Sequence, residues 1–93
     1  MAYGFFVHHE TDNVGVAVVD IESGQSYQGW LMETDGTVMV KATNSIPLGH
    51  KIALVPIADG DKIIKYGYPI GKAVKVIGQG EHVHTHNLKS LRW

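Results

Sequence analysis

The stretch Asp12-Asn13-Val14-Gly15-Val16-Ala17-Val18 carries the pattern that decides the fold class. A turn-forming pair precedes valines at every second position, with small residues between them. Because successive side chains of an extended chain point to opposite faces, this alternation predicts a strand whose valines are buried on one face. Residues 37–40 and 73–77 follow the same pattern. Residues 51–57 predict a further strand, in which Pro56 lies at an edge, an end or a bulge.

Turn-forming residues recur at short intervals along the whole chain. Asp35-Gly36 and Asp59-Gly60 are the best candidates for tight hairpin turns, because both residue types tolerate the positive φ angles of such turns. No window keeps helical apolar spacing over ten positions, so any helix is a single turn, near residues 47–49 or after Asn87. We find no linker, internal repeat or low-complexity tract. We expect one all-β domain, residues 1–93, of about seven or eight short strands with at most single-turn helices.

The composition excludes several classes of function. Ninety-three residues leave room for one core and no second. A net charge of −1, with lysines and acids interspersed, provides no basic stripe for nucleic acid. Without cysteine, no disulfide, thiolate metal site or thiol nucleophile can form. No segment approaches the roughly 20 apolar residues that span a bilayer, and residues 1–9 lack the basic start of a signal peptide. A cytoplasmic protein is therefore expected.

Histidine is unusually frequent, and three of the six histidines alternate in Gly80-Glu81-His82-Val83-His84-Thr85-His86-Asn87. On a straight strand, neighbouring members of this series are about 7 Å apart on one face and can reach one metal ion. His82 and His86 would be about 13 Å apart, too far unless the strand bends. We expect at most two of the three to bind the same ion. The alternative is that all three are ordinary polar residues on a solvent-facing strand, with Val83 and Thr85 turned inward.

A second candidate cluster is Pro47-Leu48-Gly49-His50-Lys51. Glycine before His-Lys predicts a turn that presents an imidazole and an ammonium group together, which suits a carboxylate; a solvated turn is the plainer alternative. Of the adjacent His8 and His9, only one could join a site, because they face opposite sides of a strand. Asp12-Asn13 is predicted chiefly to form a turn. Glu81 could accept a hydrogen bond from a metal-binding imidazole, or could simply be exposed.

Four stretches, in this order and spacing, resemble the SAF-domain (β-clip) unit of the altronate and galactarate dehydratase family. They are Asp12-Asn13-Val14-Gly15-Val16-Ala17, Ile46-Pro47-Leu48-Gly49-His50-Lys51-Ile52-Ala53-Leu54, Lys65-Tyr66-Gly67-Tyr68-Pro69-Ile70-Gly71 and Gly80-Glu81-His82-Val83-His84-Thr85-His86-Asn87-Leu88. The Gly-His-Lys, Tyr-Gly-Xaa-Xaa-Ile-Gly and Val-His-Xaa-His-Asn elements are specific in combination. The resemblance covers nearly the whole chain and implies a compact β-clip fold.

The resemblance also implies a function. In that family the unit is fused to a large catalytic region or made as a separate small subunit, and a chain of this length resembles the latter. The implied activity is metal-assisted elimination of water from a sugar acid to give a 2-keto-3-deoxy acid, together with a large catalytic subunit. One alternative is the loss of sulfite from sulfolactate, as in a sulfo-lyase alpha subunit. Another is a non-catalytic β-clip module that binds a sugar acid or docks onto a partner.

On this resemblance His84 and His86 are the expected metal ligands and catalytic groups, with His82 as a further candidate ligand. The residues expected to bind the substrate are His50, Lys51 and Asn87. The cofactor is expected to be a divalent metal, iron(II) first, shared with the partner subunit. A homo-oligomer is a further expectation.

Overall fold

The computed structural model describes residues 3–90, and its strands are short because turn-forming residues interrupt the β-branched segments. The strands are β1 (Phe5–Val7), β2 (Val14–Ala17), β3 (Ser26–Leu31), β4 (Gly36–Lys41), β5 (Lys51–Ala53), β6 (Lys62–Lys65), β7 (Tyr68–Ala73), β8 (His82–Val83) and β9 (Leu88–Ser90). Residues 3–90 contain no helix, which confirms the all-β prediction with nine strands in place of seven or eight. No helix within this range is long and apolar enough to cross a membrane.

The strands form two sheets, with the orders β4-β3-β1-β2-β5-β8 and β6-β7-β9. Neighbouring strands are antiparallel except for β1 and β3, which run parallel. Asp35-Gly36 closes the predicted hairpin between β3 and β4, and Asp35 has a φ of 58°. The second sheet has a two-residue hairpin at Tyr66-Gly67, with φ angles of 56° and 74°. Asp59-Gly60 does not form the predicted hairpin, since it ends a loop before β6.

Four loops share the pattern Ala-Xaa3-Ile-Xaa2-Gly, and we call them the Ala-Ile-Gly loops. In each loop the alanine and the isoleucine are buried, and the glycine has a φ between 84° and 90°. Glycine fits because it has no Cβ to oppose a positive φ. The expectation of no internal repeat is therefore wrong; the unequal intervals between the loops concealed the pattern. The loops span residues 17–24, 42–49, 53–60 and 73–80.

The Ala-Ile-Gly loops pair two by two through reciprocal hydrogen bonds. Within a pair, the two isoleucines exchange both of their backbone hydrogen bonds, and each glycine N–H donates to the alanine carbonyl of the other loop. All four glycine-to-alanine bonds are 2.8 Å long, and they run from Gly24 to Ala42, Gly49 to Ala17, Gly60 to Ala73 and Gly80 to Ala53. Each pair thus has an internal twofold symmetry and satisfies backbone groups that would otherwise be buried without partners.

Buried side chains form two clusters in place of the one predicted core. The first lies around Phe5 and includes the isoleucines of the first loop pair, and the second includes those of the second loop pair. Strand β2 serves both, since Ala17 lies in the first cluster and Val14 in the second. The prediction of one valine-lined buried face is therefore wrong, because Val16 and Val18 are only half-buried.

Two further predictions are wrong: the strand at residues 73–77 and the helical turn after Asn87. Of residues 73–77, only Ala73 belongs to a strand, and Val76 is 71% exposed within its loop. The segment after Asn87 forms β9 and not a helical turn. Pro56 lies beyond the end of β5, one of the three predicted positions.

Replacing Gly80 by alanine should destabilise the protein far more than replacing Gly24, although their φ angles of 84° and 88° are nearly equal. A Cβ at Gly80 would collide with the carbonyl oxygen of Lys41, whereas a Cβ at Gly24 would meet nothing within 4 Å. We expect G24A to cost about 1 kcal/mol and G80A at least about 3 kcal/mol of unfolding free energy, measured by urea denaturation. Equal losses would show that the loop does not press on Lys41.

Candidate functional site

Three histidines from two distant segments meet at one edge of the six-stranded sheet. His50 precedes β5, and β8 pairs with β5 so that His82 lies opposite Ile52. One ring nitrogen from each of His50, His82 and His84 lies within 4.8 Å of the other two. His50 Nδ1 is 2.9 Å from His82 Nε2, and the rings of His50 and His84 stack with their centroids 4.2 Å apart. We call these residues the histidine trio.

The trio forms because β8 is only two residues long. The chain turns after Val83, so the spacing of a straight strand no longer applies to His84 and His86. The ring centroids of His82 and His86 are 5.2 Å apart, far closer than a straight strand would allow. His84 does not form the expected pair with His86. It lies together with His50 and His82, and His86 lies beside His82 outside the trio.

Asn87 holds this turn in place. Its Oδ1 accepts a hydrogen bond from the backbone N–H of His84 at 2.9 Å, and its Nδ2 donates to the carbonyl oxygen of His82 at 2.8 Å. The side chain is fully buried. The expectation that Asn87 binds substrate does not fit this placement, because both polar ends of its side chain are engaged within the turn. Asn87 instead positions two members of the trio.

Two other polar side chains support the turn. Glu81 accepts hydrogen bonds from the N–H of Gly78 at 3.0 Å and from Asn87 Nδ2 at 3.4 Å, so it supports the turn through these two donors. Asn44 Oδ1 accepts a hydrogen bond from the backbone N–H of His82 at 2.9 Å. No sequence motif marks Asn44 as part of the site, since its partner lies 38 residues away.

Lys51 lies on the other face of the sheet from the trio. It pairs directly with Val83, which belongs with Ala53 to the second buried cluster, whereas Ile52 belongs to the first. The predicted side-by-side presentation of His50 and Lys51 is therefore not formed. The pKa of Lys51 is lowered by its partial burial and then by the charge of Lys65.

The surroundings of His82 and His84 favour neutral imidazoles. The pKa of His82 is lowered first by burial and then by the neighbouring imidazoles, His50 foremost. The pKa of His84 is likewise lowered by burial, then by His50 and Lys51. A neutral imidazole has a free lone pair, so it can bind a metal ion or accept a proton.

The other predicted candidates lie around a second turn. Asp12 closes a turn as predicted, since its backbone N–H donates to the carbonyl oxygen of His9 at 3.1 Å. The side chains of Asp12 and Asn13 also accept hydrogen bonds from the backbone N–H groups of residues 64, 66 and 67. His9 Nδ1 lies 2.9 Å from Glu33 Oε2. His8 packs on the ring of Tyr66, with the centroids 3.7 Å apart.

Comparison with known proteins gives consistent matches. The family model described as the altronate/galactarate dehydratase SAF domain matches residues 3–91. The (2R)-sulfolactate sulfo-lyase subunit alpha of Chromohalobacter salexigens is 46% identical over 94 residues, which cover all of both chains. The altronate dehydratase of Bacillus subtilis is 41% identical over 86 residues, and the galactarate dehydratase (L-threo-forming) of Escherichia coli is 36% identical over 77. These matches span 92% and 81% of this chain, but only 16% and 13% of the two dehydratases.

Replacing Asn87 by alanine should destabilise the fold by about 2–4 kcal/mol, because it empties a fully buried site and leaves the half-buried N–H of His84 and carbonyl of His82 without their partner. Asn44→Ala is the matched control: it also removes a side-chain acceptor from this region, but Asn44 is exposed and water can replace it. We expect a loss below about 1 kcal/mol for the control, measured by urea denaturation. A similar loss of unfolding free energy in both variants would show that the buried amide of Asn87 does not hold the turn.

The imidazoles of His82 and His84 should titrate below their ordinary pKa of 6.5, and His50→Ala should raise both midpoints. The reason is that a protonated His50 repels a second positive charge, so its removal makes protonation of its neighbours easier. Proton NMR of the ring Cε1–H signals against pH measures the midpoints. Wild-type midpoints at or above 6.5, or midpoints that do not move in the variant, would contradict the geometry of the trio.

Proposed function

Because the chain belongs to the altronate/galactarate dehydratase SAF-domain family, we propose that it is the small subunit of a lyase and completes an active site with a large catalytic polypeptide. The histidine trio carries this proposal: two of its imidazoles have a lowered pKa, and it lies at an open sheet edge. Cavities of about 270 and 260 Å³ are lined by other residues, so the trio needs a second surface to enclose a substrate.

The reaction that these groups suit is β-elimination from a 2-hydroxy acid. A base removes the proton from C2, the C2–C3 double bond forms, and the bond from C3 to the leaving group breaks. The resulting enol takes up a proton at C3 and becomes a 2-keto acid. The C2 proton is weakly acidic, so the charge that develops on the carboxylate must be neutralised. A neutral imidazole suits this proton transfer. The pKa values of His82 and His84 are lowered by burial, by His50 and, from the other face of the sheet, by the charge of Lys51.

A divalent transition metal fits the donor set of the trio. Neutral imidazole nitrogens are good ligands for such ions, and ligands about 2.1 Å from one ion are at most about 4.2 Å apart, close to the 4.8 Å span of the trio. We propose that His50, His82 and His84 hold iron(II), with further ligands from the large subunit. When bound, the ion would polarise the carboxylate and hydroxyl oxygens of the substrate. His86, outside the trio, is then free to transfer a proton.

Two substrates are supported by the relatives. The first is a sugar acid, with water as the leaving group. The similarity over the full length of both chains to a sulfo-lyase subunit favours (2R)-sulfolactate, which would lose sulfite and give pyruvate. The assay should therefore begin with sulfolactate and continue with altronate and galactarate. A cytoplasmic location and a homo-oligomeric small subunit belong to the same proposal.

The test is turnover by the chain purified with its large subunit and supplied with iron(II) under reducing conditions. We expect single alanine variants of the trio residues and of His86 to lose at least about 100-fold in kcat. His9→Ala, which changes a histidine bound to Glu33 at another place, should retain activity. Co-purification of each variant with the large subunit shows that assembly is intact. Full activity in all four site variants would favour a non-catalytic binding or docking module.

A further inference from the structure

Strand β4 ends the six-stranded sheet, so one of its edges has no neighbouring strand within residues 3–90. In β3, the carbonyl oxygen of Gln28 accepts a hydrogen bond from the N–H of Gly4, so Gln28 turns its backbone groups toward β1 and away from β4. Its partner in β4 is Met39, whose N–H and carbonyl therefore point to the open edge. Those of Thr37 do the same, because alternate residues of an antiparallel pair share this orientation. An edge with outward donors and acceptors can pair with a further strand.

A cavity of about 270 Å³ lies beside this edge. Residues 38–40 of β4 line it on one side, and residues 54–55 line it on another. The cavity borders the first buried cluster, since Val40 belongs to that cluster and Val38 and Leu54 pack against it. Its volume is below the roughly 300–1,000 Å³ of small-molecule pockets, so an apolar side chain suits it better than a free ligand.

The charged residues that line the cavity, Glu10 and Asp12, are both acidic. The carboxylate of Asp12 is nearly buried and accepts backbone hydrogen bonds, whereas the side chain of Glu10 is exposed. Glu33 lies beside them: its Oε1 accepts a hydrogen bond from the N–H of Glu10 at 3.0 Å, and its Oε2 lies 2.9 Å from His9 Nδ1. An exposed acid beside an apolar cavity is complementary to a segment in which a basic residue neighbours an apolar one.

The C-terminal end of β4 leads to the histidine trio. A Cβ on Gly80 would collide with the carbonyl oxygen of Lys41, and the N–H of Thr43 donates to the carbonyl oxygen of Gly80 at 2.9 Å. The next residue, Asn44, accepts the hydrogen bond from the N–H of His82. A strand added to β4 therefore lies next to the segment that carries His82, so the polypeptide that supplies it can also reach the trio.

We infer that the large catalytic subunit adds a strand to the β4 edge and inserts an apolar side chain into the adjacent cavity, with a basic residue beside Glu10. The identity of the partner rests on the proposed function. Alternate side chains of the added strand lie on the same face as those of residues 38 and 40, where the cavity lies. Backbone hydrogen bonds then supply affinity and the cavity supplies specificity, as is usual when a strand joins a sheet edge.

A second copy of this chain fits the edge less well. In a symmetric antiparallel pair centred on Met39, Thr37 of the second copy lies opposite Lys41. Gly80 already packs against the carbonyl oxygen of Lys41, so this place is occupied. The large subunit is the occupant that also covers the open side of the trio.

The first experiment compares amide hydrogen exchange of the 93-residue chain alone and in its complex with the large subunit. The amides of Thr37 and Met39 should exchange at least about tenfold more slowly in the complex, because they gain hydrogen bonds. The amides of Val38 and Val40 point toward β3 in both states and should change less. Unchanged exchange at Thr37 and Met39 would overturn the inference.

Met39→Pro removes the outward N–H without removing a hydrogen bond to β3, and edge strands tolerate proline at such positions. We expect the affinity of the chain for the large subunit, measured by isothermal titration calorimetry, to fall at least about tenfold. Met39→Ala keeps the N–H and should lose less affinity. Equal losses in the two variants would attribute binding to the side chain and overturn the strand pairing.

A pair of charge reversals tests the same surface without proline. Glu10→Lys should weaken the affinity by about tenfold, and more at low salt than at high salt, because it repels the basic residue of the partner. Glu22→Lys makes the same change at an exposed position in the first Ala-Ile-Gly loop and should change the affinity by less than about twofold. Equal effects of the two reversals would overturn the inference.

The assembled enzyme distinguishes this inference from the proposed function. With Met39→Pro, lyase activity should fall when the chain is limiting and return when it is in excess, because the edge binds the partner and takes no part in the chemistry. Full activity of this variant at limiting concentration would overturn the inference alone. Protection of the Met39 amide in a complex without lyase activity would support the docking edge and refute the proposed function. A dimer of the isolated chain that Met39→Pro dissociates, measured by sedimentation, would assign the edge to a second copy and overturn the inference.

Discussion

The reciprocal pairing of the Ala-Ile-Gly loops is the interaction on which the rest of the structure depends. Each pair closes four backbone hydrogen bonds and buries two isoleucines and two alanines, and each of the two hydrophobic clusters is organised around one pair. A chain this small has little apolar area to bury. Each loop pair contributes to stability in two ways, because it satisfies backbone hydrogen-bonding groups and fills a core. The glycine at the end of each loop makes this geometry accessible at positive φ.

The same loops place the functional groups. The loop that ends at Gly49 delivers His50, and the loop that ends at Gly80 delivers His82, while the pairing of β5 with β8 brings these histidines together. Asn87 then reverses the chain so that His84 joins them. The histidine trio thus arises from two copies of a structural loop and one buried amide.

The two faces of the six-stranded sheet carry different polar groups. Neutral imidazoles gather on the side of the first cluster, where a lowered pKa favours metal binding or proton transfer. The ammonium group of Lys51 lies on the side of the second cluster. Elimination from a hydroxy acid needs both kinds of group: one to take a proton and one to compensate negative charge. Neither side encloses a substrate by itself, which agrees with a subunit that acts against a larger partner.

The sequence by itself determined the fold class, the β3–β4 hairpin, the residues that form turns at Asp12-Asn13 and the family. These features depend on local patterns: alternating side chains, turn-forming pairs and short motifs. Such patterns can be recognised before it is known which strands pair. It also identified His50, His82 and His84 as candidates, though in different groups.

Only the tertiary structure decided which of those histidines meet. Their grouping depends on the pairing of β5 with β8 and on a turn held by Asn87, and neither contact leaves a mark in local spacing. Straight-strand geometry was the wrong rule after Val83, because the chain bends there. The repeat was not predicted because the four loops are unequally spaced along the chain, so they have no constant period. Their common role becomes visible in the hydrogen bonds that pair loops from distant parts of the sequence.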